Sequence, residues 1–434
     1  MKRKIFYSVF VIGLVGCGKN DDSGDSATTY SSFSISTVQT LATPADANPE
    51  IIRMIPGTNN KAVYVSAVQK SLTQLTYTAD GFTLGSPQFY EQDSQSGMSA
   101  ITVSPDGKWI VATLIDIEGY DSDNSVCNKG SILIVKSEDL SLTRKMDVGF
   151  NPDSAQFSSD GKWLVVVNED DREDRACKPD SRHGGSVSVI DSSATDPNSW
   201  ELKQEIEVSH SEDSEPEGVA ISSDNDTVIV TIQETSEIGI FKLSLVPSAT
   251  LTVIDMPTVT DPSGEKAAGL AAEPDGVCID KDGKYALISN EKNDSFSMFN
   301  FADNTFLSTT RITDALPSDY NRDKRKSTKN IEPEECGIVE KSGHLYGLLA
   351  LQESHAVIVY DITDPKTPTF DSVAKVGNKW TEDQSAGGTK SSLVGTEGLA
   401  VHTNNGIVFT ANEREGSVTM LKSSWTNDVL ASGG

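Results

Sequence analysis

The stretch Glu215 to Leu243, E-P-E-G-V-A-I-S-S-D-N-D-T-V-I-V-T-I-Q-E-T-S-E-I-G-I-F-K-L, constrains this chain more than any other feature, because much of it recurs at Glu273, Glu332 and Thr396. Each copy opens with an acidic turn and runs through a short apolar strand, a polar turn, a second apolar strand ending in Asn, Gln or Glu, and a third strand. A period of about 40 to 60 residues with several short strands per copy is the pattern of a β-propeller, one copy to a blade.

Looser copies extend the series towards the N-terminus. Copy one starts at Asn48, copy two near Gly97 and copy three at Asn151. Copies two and three share S-x-D-G-K-W, a hairpin turn with Asp-Gly at its tip and Lys-Trp opening the next strand. The third strands, such as G-S-V-S-V-I and G-S-V-T-M-L, alternate with the period of two expected of strands. Seven copies predict an all-β, seven-bladed propeller over 33–424 with no helix. The copy from Thr396 has three strands before the chain runs out, and Phe33 to Leu41 has strand composition without a neighbour. An N-terminal strand closing the last blade joins the two and removes an exposed edge.

The turns before the third strands of copies two and three carry polar insertions, Asp116 to Lys129 and Asp170 to Gly185. D-S-D-N-S in the first has a calcium-loop flavour but lacks the glycine and the final glutamate of such a loop. A basic run, Asn321 to Asn330, precedes copy six. Insertions in propellers map to loops, where function concentrates.

Residues 1–16 read as a processing signal: Lys2, Arg3 and Lys4, then an apolar run from Ile5 to Leu14, then Leu14-Val15-Gly16-Cys17. That tetrapeptide resembles the lipobox of bacterial lipoproteins. The resemblance implies cleavage before Cys17, a lipid on that cysteine, a polar tether over 17–32, and a place in the cell envelope at the outer membrane or cell surface. Residues 425–434 read as a tail. The four remaining cysteines suggest two disulfides in an oxidising compartment. Cys127 and Cys177 occupy corresponding loops of successive copies. Cys278 and Cys336 occupy corresponding first strands, one residue out of register, which sets them towards opposite sides; the repeat thus points to Cys127–Cys177 and, less directly, to Cys278–Cys336.

With 64 acidic against 36 basic side chains the formal charge is −28. Phosphate backbones are repelled, so nucleic acid is excluded as a partner, and cations are the natural small ligands. Solubility accounts for much of a surface charge of this kind.

The S-x-D-G-K turn with a following N-E or Q-E resembles bacterial seven-bladed propellers with YVTN-type repeats. The recurrent P-E-G and the N-E after the second strand resemble choice-of-anchor I propeller proteins. The resemblance implies the fold over nearly all of 33–424; such propellers bind, scaffold or hydrolyse, so it leaves the activity open.

In a propeller the turn entering the first strand and the turn leaving the second open on one face. The entry residues are Glu50, Ser99, Asp153, Glu217, Asp275, Glu334 and Glu397, and the exit residues of copies three to seven read as Glu169, Glu234, Glu291, Glu353 and Glu413. Converging carboxylates repel, and relief comes from protonation, basic partners or a cation. Hard oxygen donors suit Ca²⁺. The candidate metal ligands are Glu217, Asp275, Glu334 and Glu397, backed by Asn290 and Asn412. In the competing reading the acids accept backbone hydrogen bonds and tie the ring together. A third has the basic loop residues Arg322, Lys324, Arg325 and Lys326 close over the mouth, with Arg182 and His183 as further contacts. No nucleophile motif, H-E-x-x-H or C-x-x-C is present. A membrane-anchored binding or scaffold module for a protein or glycan partner is therefore expected. The alternative is a calcium-dependent lactonase or phosphoesterase, which resembles this chain in placing metal in the channel.

Overall fold

The computed structural model describes residues 31–427 apart from 45–46, 59, 91–95, 119–125, 170–184, 209–213, 261–268, 318–319, 321–330, 342, 379–393 and 403–404. Seven antiparallel sheets form a ring of seven blades. The inner strands are Pro49–Met54, Ile101–Val103, Pro152–Phe157, Pro216–Ile221, Pro274–Ile279, Pro333–Lys341 and Thr396–His402. No α-helix occurs among the described residues, which carry two short 3-10 turns. The blades pack through apolar clusters shared between neighbours; Leu287 and Phe296 of blade 5, for instance, pack with Leu349 and Ile358 of blade 6.

Blade 7 is completed from the far end of the chain. Ser31–Ala42 pairs antiparallel with Ser417–Asn427, from Ser31 against Asn427 to Ala42 against Ser417, as its outer strand. Phe33, 2 % exposed, stacks on Tyr346 of blade 6 with ring centroids 4.9 Å apart.

The S-x-D-G turn works by division of labour. Asp106 accepts from Ser104 Oγ at 2.7 Å and from the Lys108 amide at 3.1 Å, and Gly107 alone adopts the left-handed backbone. Blade 3 repeats this through Ser158, Asp160 and Gly161. Blade 4 puts Asn225 at the left-handed position, the residue that best tolerates it after glycine.

Each inner strand except that of blade 2 is bulged at its start. In blade 4 the register jumps from Pro216–Ile232 to Val219–Val230, so one residue is left out of the ladder. A bulge re-aims a side chain, and here it turns the entry residue towards the channel. The glycine of P-E-G follows from the same geometry. A Cβ on Gly218 would lie 2.4 Å from the Asp275 carbonyl oxygen, on Gly276 2.6 Å from that of Glu334, and on Gly398 2.5 Å from that of Glu50. Each of these glycines lets the next blade's entry residue come close, and Gly398 does so across the closure from blade 7 to blade 1. Gly276→Ala is therefore expected to destabilise by about 1–3 kcal/mol, as overpacking does. Gly97→Ala, which meets nothing within 4 Å, should leave the melting temperature unchanged. Comparing the two by thermal unfolding is the check.

Cys278 and Cys336 form a disulfide with a Cα–Cα distance of 6.0 Å. The two pair as their corresponding positions suggest, and the one-residue offset is what lets them meet. Neighbouring blades pack the front of one sheet on the back of the next, so side chains meeting across the interface come from opposite faces of their strands. Cys177 lies outside the described residues, and with it the Cys127–Cys177 pairing.

Candidate ligand site at the channel mouth

The inner strands surround a cavity of about 930 Å³ on the ring axis. All seven entry residues line it: Glu50, Ser99, Asp153, Glu217, Asp275, Glu334 and Glu397. Four positions further along every inner strand stand Met54, Val103, Phe157, Ile221, Ile279, Ile338 and Val401, which also line it. An acidic rim therefore sits above an apolar ring.

The exit position is corrected by a recurring hydrogen bond. The amides of Glu169, Gln233, Glu291, Gln352 and Glu413 donate to the carbonyls of Asn151, Glu215, Glu273, Glu332 and Gly395, at 2.9, 2.7, 3.1, 2.9 and 2.7 Å. The equivalent residues in blades 4 and 6 are thus Gln233 and Gln352, one before the predicted Glu234 and Glu353. Glu234 still lines the cavity. Glu353 does not; its buried carboxylate pairs with Arg414 at 2.5 Å.

Carboxyl groups of neighbouring blades meet in pairs. Glu217 is hydrogen-bonded to Asp153, and enclosure first, then the charges of Glu169, Asp153 and Asp275, push its carboxyl well above the usual range. Glu334 is hydrogen-bonded to Asp275, and burial followed by the Asp275, Glu397 and Glu291 charges pushes it up likewise. Two carboxyls so bonded share a proton. Glu397 is raised to about 8 by burial and Glu413, against the opposing pull of Arg414 and the Gln352 amide. Two triads result, Asp153–Glu169–Glu217 and Glu291–Glu332–Glu334, each with oxygens within 4.8 Å of one another. Carboxyl–carboxyl and carboxyl–amide contacts, rather than backbone amides, are the hydrogen bonds found at Glu217, Glu334 and Glu397.

Glu332 was not anticipated as part of the site. It opens the E-P-E turn in the left-handed region (φ 46°), with Asp294 Oδ1 receiving the Ile331 amide at 2.9 Å beside it. Arg53 and Arg414 were missed too. Arg53 meets Glu335 through two contacts of 2.6 and 2.8 Å, and Arg414 Nη2 donates to Gln352 Oε1 at 2.6 Å besides its Glu353 pair. The only signal for either arginine was a basic residue inside an otherwise acidic repeat.

Asn290 and Asn412 stand off the cavity. Asn290 Nδ2 donates to Ser295 and Ser297 at 2.9 and 3.0 Å, and Asn412 Nδ2 to Ser417 and Thr419 at 3.0 Å, pinning second strand to third. Arg182, His183, Arg322, Lys324, Arg325 and Lys326 lie outside the described residues, as do Cys17 and the D-S-D-N-S loop. No histidine is among the described residues that line the cavity.

Fold and site together define a seven-bladed propeller with a carboxylate-rimmed channel. A model of the choice-of-anchor I domain matches residues 50–205, blades 1 to 3, in agreement with the likeness read in the repeats. No curated protein sequence matches this chain significantly. Among solved structures the chain is similar to a streptogramin B lyase, at 12 % identity and a TM-score of 0.58 over 91 % of this chain and 98 % of that one. It is also similar to a functionally unknown protein from Desulfotomaculum acetoxidans DSM 771, at 11 % identity and a TM-score of 0.52 over 80 % and 89 %. The C-terminal WD40 domain of Sif2 gives 9 % identity and a TM-score of 0.54 over 89 % and 98 %. At these identities the likeness is one of fold. No helix among the described residues is long and apolar enough to cross a membrane.

Proposed function

We propose that this protein is a binding module of the bacterial cell envelope, held at the outer membrane or cell surface by a lipid on Cys17. Its channel mouth takes up a positively charged ligand. The basic start, the apolar run and Leu14–Cys17 support the anchor. One observation carries the ligand reading: among the described residues eleven carboxylates line the cavity against two cations, Arg53 and Arg414, each held by a glutamate of its own. A basic patch on a protein or glycan partner would fit such a mouth.

A hard divalent cation is the simplest probe. Oxygens that ligate one Ca²⁺ at 2.3–2.6 Å lie at most about 5 Å apart, the spacing found in both triads. At a hundredfold excess over Kd, calcium is expected to raise the melting temperature of the purified protein by roughly 3–6 °C relative to chelator. Glu217→Gln with Glu334→Gln should abolish the rise. No calcium-dependent shift, together with no metal by elemental analysis, would remove the metal from this reading.

A further inference from the structure

The rim occupies one end of the channel, and the apolar ring below it remains to be explained. At about 3.3 Å per residue the four-residue step places the two rings roughly 13 Å apart. Met54, Val103, Ile279, Ile338 and Val401 each pack against an inter-blade core cluster on one side and stay partly exposed on the other, where they line the channel. The cavity of about 930 Å³ has room for a small molecule and joins a densely charged rim to an apolar ring. A metal ion at the rim would leave that wall wet. An inorganic anion would meet the wrong charge, since Arg53 and Arg414 are already engaged.

We propose that the channel binds an elongated organic cation, an alkylammonium whose head sits among the rim carboxylates and whose aliphatic body lies along the apolar ring. This rests on the mouth being a seat for positive charge and adds the class of molecule that fills it. Charge complementarity selects the head. The wet wall at a fixed depth below it selects the body, because burying methylenes there is favourable and burying a second charge is not. A linear diamine of the same length should therefore bind more weakly than the monoamine.

The test is calorimetric titration of the purified protein with n-alkylammonium ions from methyl to dodecyl, at fixed salt and in chelator. Affinity is expected to rise roughly threefold for each added methylene and to level off once the chain spans the two rings. Ile338→Ser should flatten the chain-length dependence while leaving methylammonium unaffected. Val401→Thr serves the same purpose should the first variant fail to fold, which its melting temperature will show. Affinity that does not depend on chain length, or a diamine that binds as well as or better than its monoamine, overturns the proposal. Calcium stabilisation without a chain-length effect leaves the functional reading intact and sinks this inference alone. Neither calcium nor any amine binding sinks both.

Discussion

Deletion of the chain through Ala42 is expected to abolish the cooperative thermal transition of the purified protein and to drive it to aggregate. The deleted strand is the outer strand of blade 7, paired from Ser31–Asn427 to Ala42–Ser417. Without it the edge of Ser417–Asn427 is bare, and an unpaired edge is a template for pairing with other chains. Phe33 and Ile35 also leave the cluster that joins blade 7 to Tyr346, Leu348 and Val359 of blade 6. The seam between blade 7 and blade 1 keeps its own apolar cluster, in which Phe409 meets Tyr77 and Phe82, so the loss falls on the bared edge and on the seam with blade 6. A milder probe keeps the strand and removes one anchor: Phe33→Ala should cost about 3–5 kcal/mol. Circular dichroism and light scattering through the melt distinguish the outcomes. A deletion variant that still melts cooperatively within a few degrees of the intact protein would show that the other six blades hold the ring closed.

The second large effect is on pH. In metal-free protein, stability should fall as pH rises from about 4.5 to about 8. Glu217, Glu334 and Glu397 are carboxyls raised in the folded state, Glu397 to about 8. Below the unfolded value near 4.5 both states hold these protons, and nothing is lost. Between that value and the folded one the unfolded chain releases them while the native state retains them, so the balance shifts towards unfolding; for Glu397 the loss is complete above about 8. Asp106, Asp160, Asp191 and Asp224 act in the opposite sense, being lowered in the fold, but they lie at the surface, where solvent screens them; buried His355, lowered to about 4, also opposes the trend up to its unfolded value near 6.5, and the three rim carboxyls outnumber it. A drop in melting temperature of roughly 5 °C between pH 5 and pH 8 in chelator is the expected size. Glu334→Gln should raise the melting temperature at pH 8 and change little at pH 5, because an amide needs no proton to sit beside Asp275. A melting temperature that climbs across this window would falsify the picture of a proton-sharing rim.

Much of this protein is written in its repeats. Strand periodicity, the D-G turns and the recurrent P-E-G sufficed for seven blades, for closure by the N-terminal strand and for the seven entry residues at the channel. These are local or periodic properties, and each copy states them again. Three things needed the tertiary structure. The amide that closes back on the entry turn in blades 4 and 6 belongs to Gln233 and Gln352, so these, not the more conspicuous Glu234 and Glu353, occupy the exit position. Asn290 and Asn412 look like ligands at the end of a strand, yet their side chains turn to hydroxyls of the third strand. The offset of Cys278 from Cys336 looks like an obstacle along the sequence and is a requirement in space, because stacked sheets present opposite faces to one another. A one-dimensional period fixes how often a side chain recurs. The packing of one blade on the next decides what it faces.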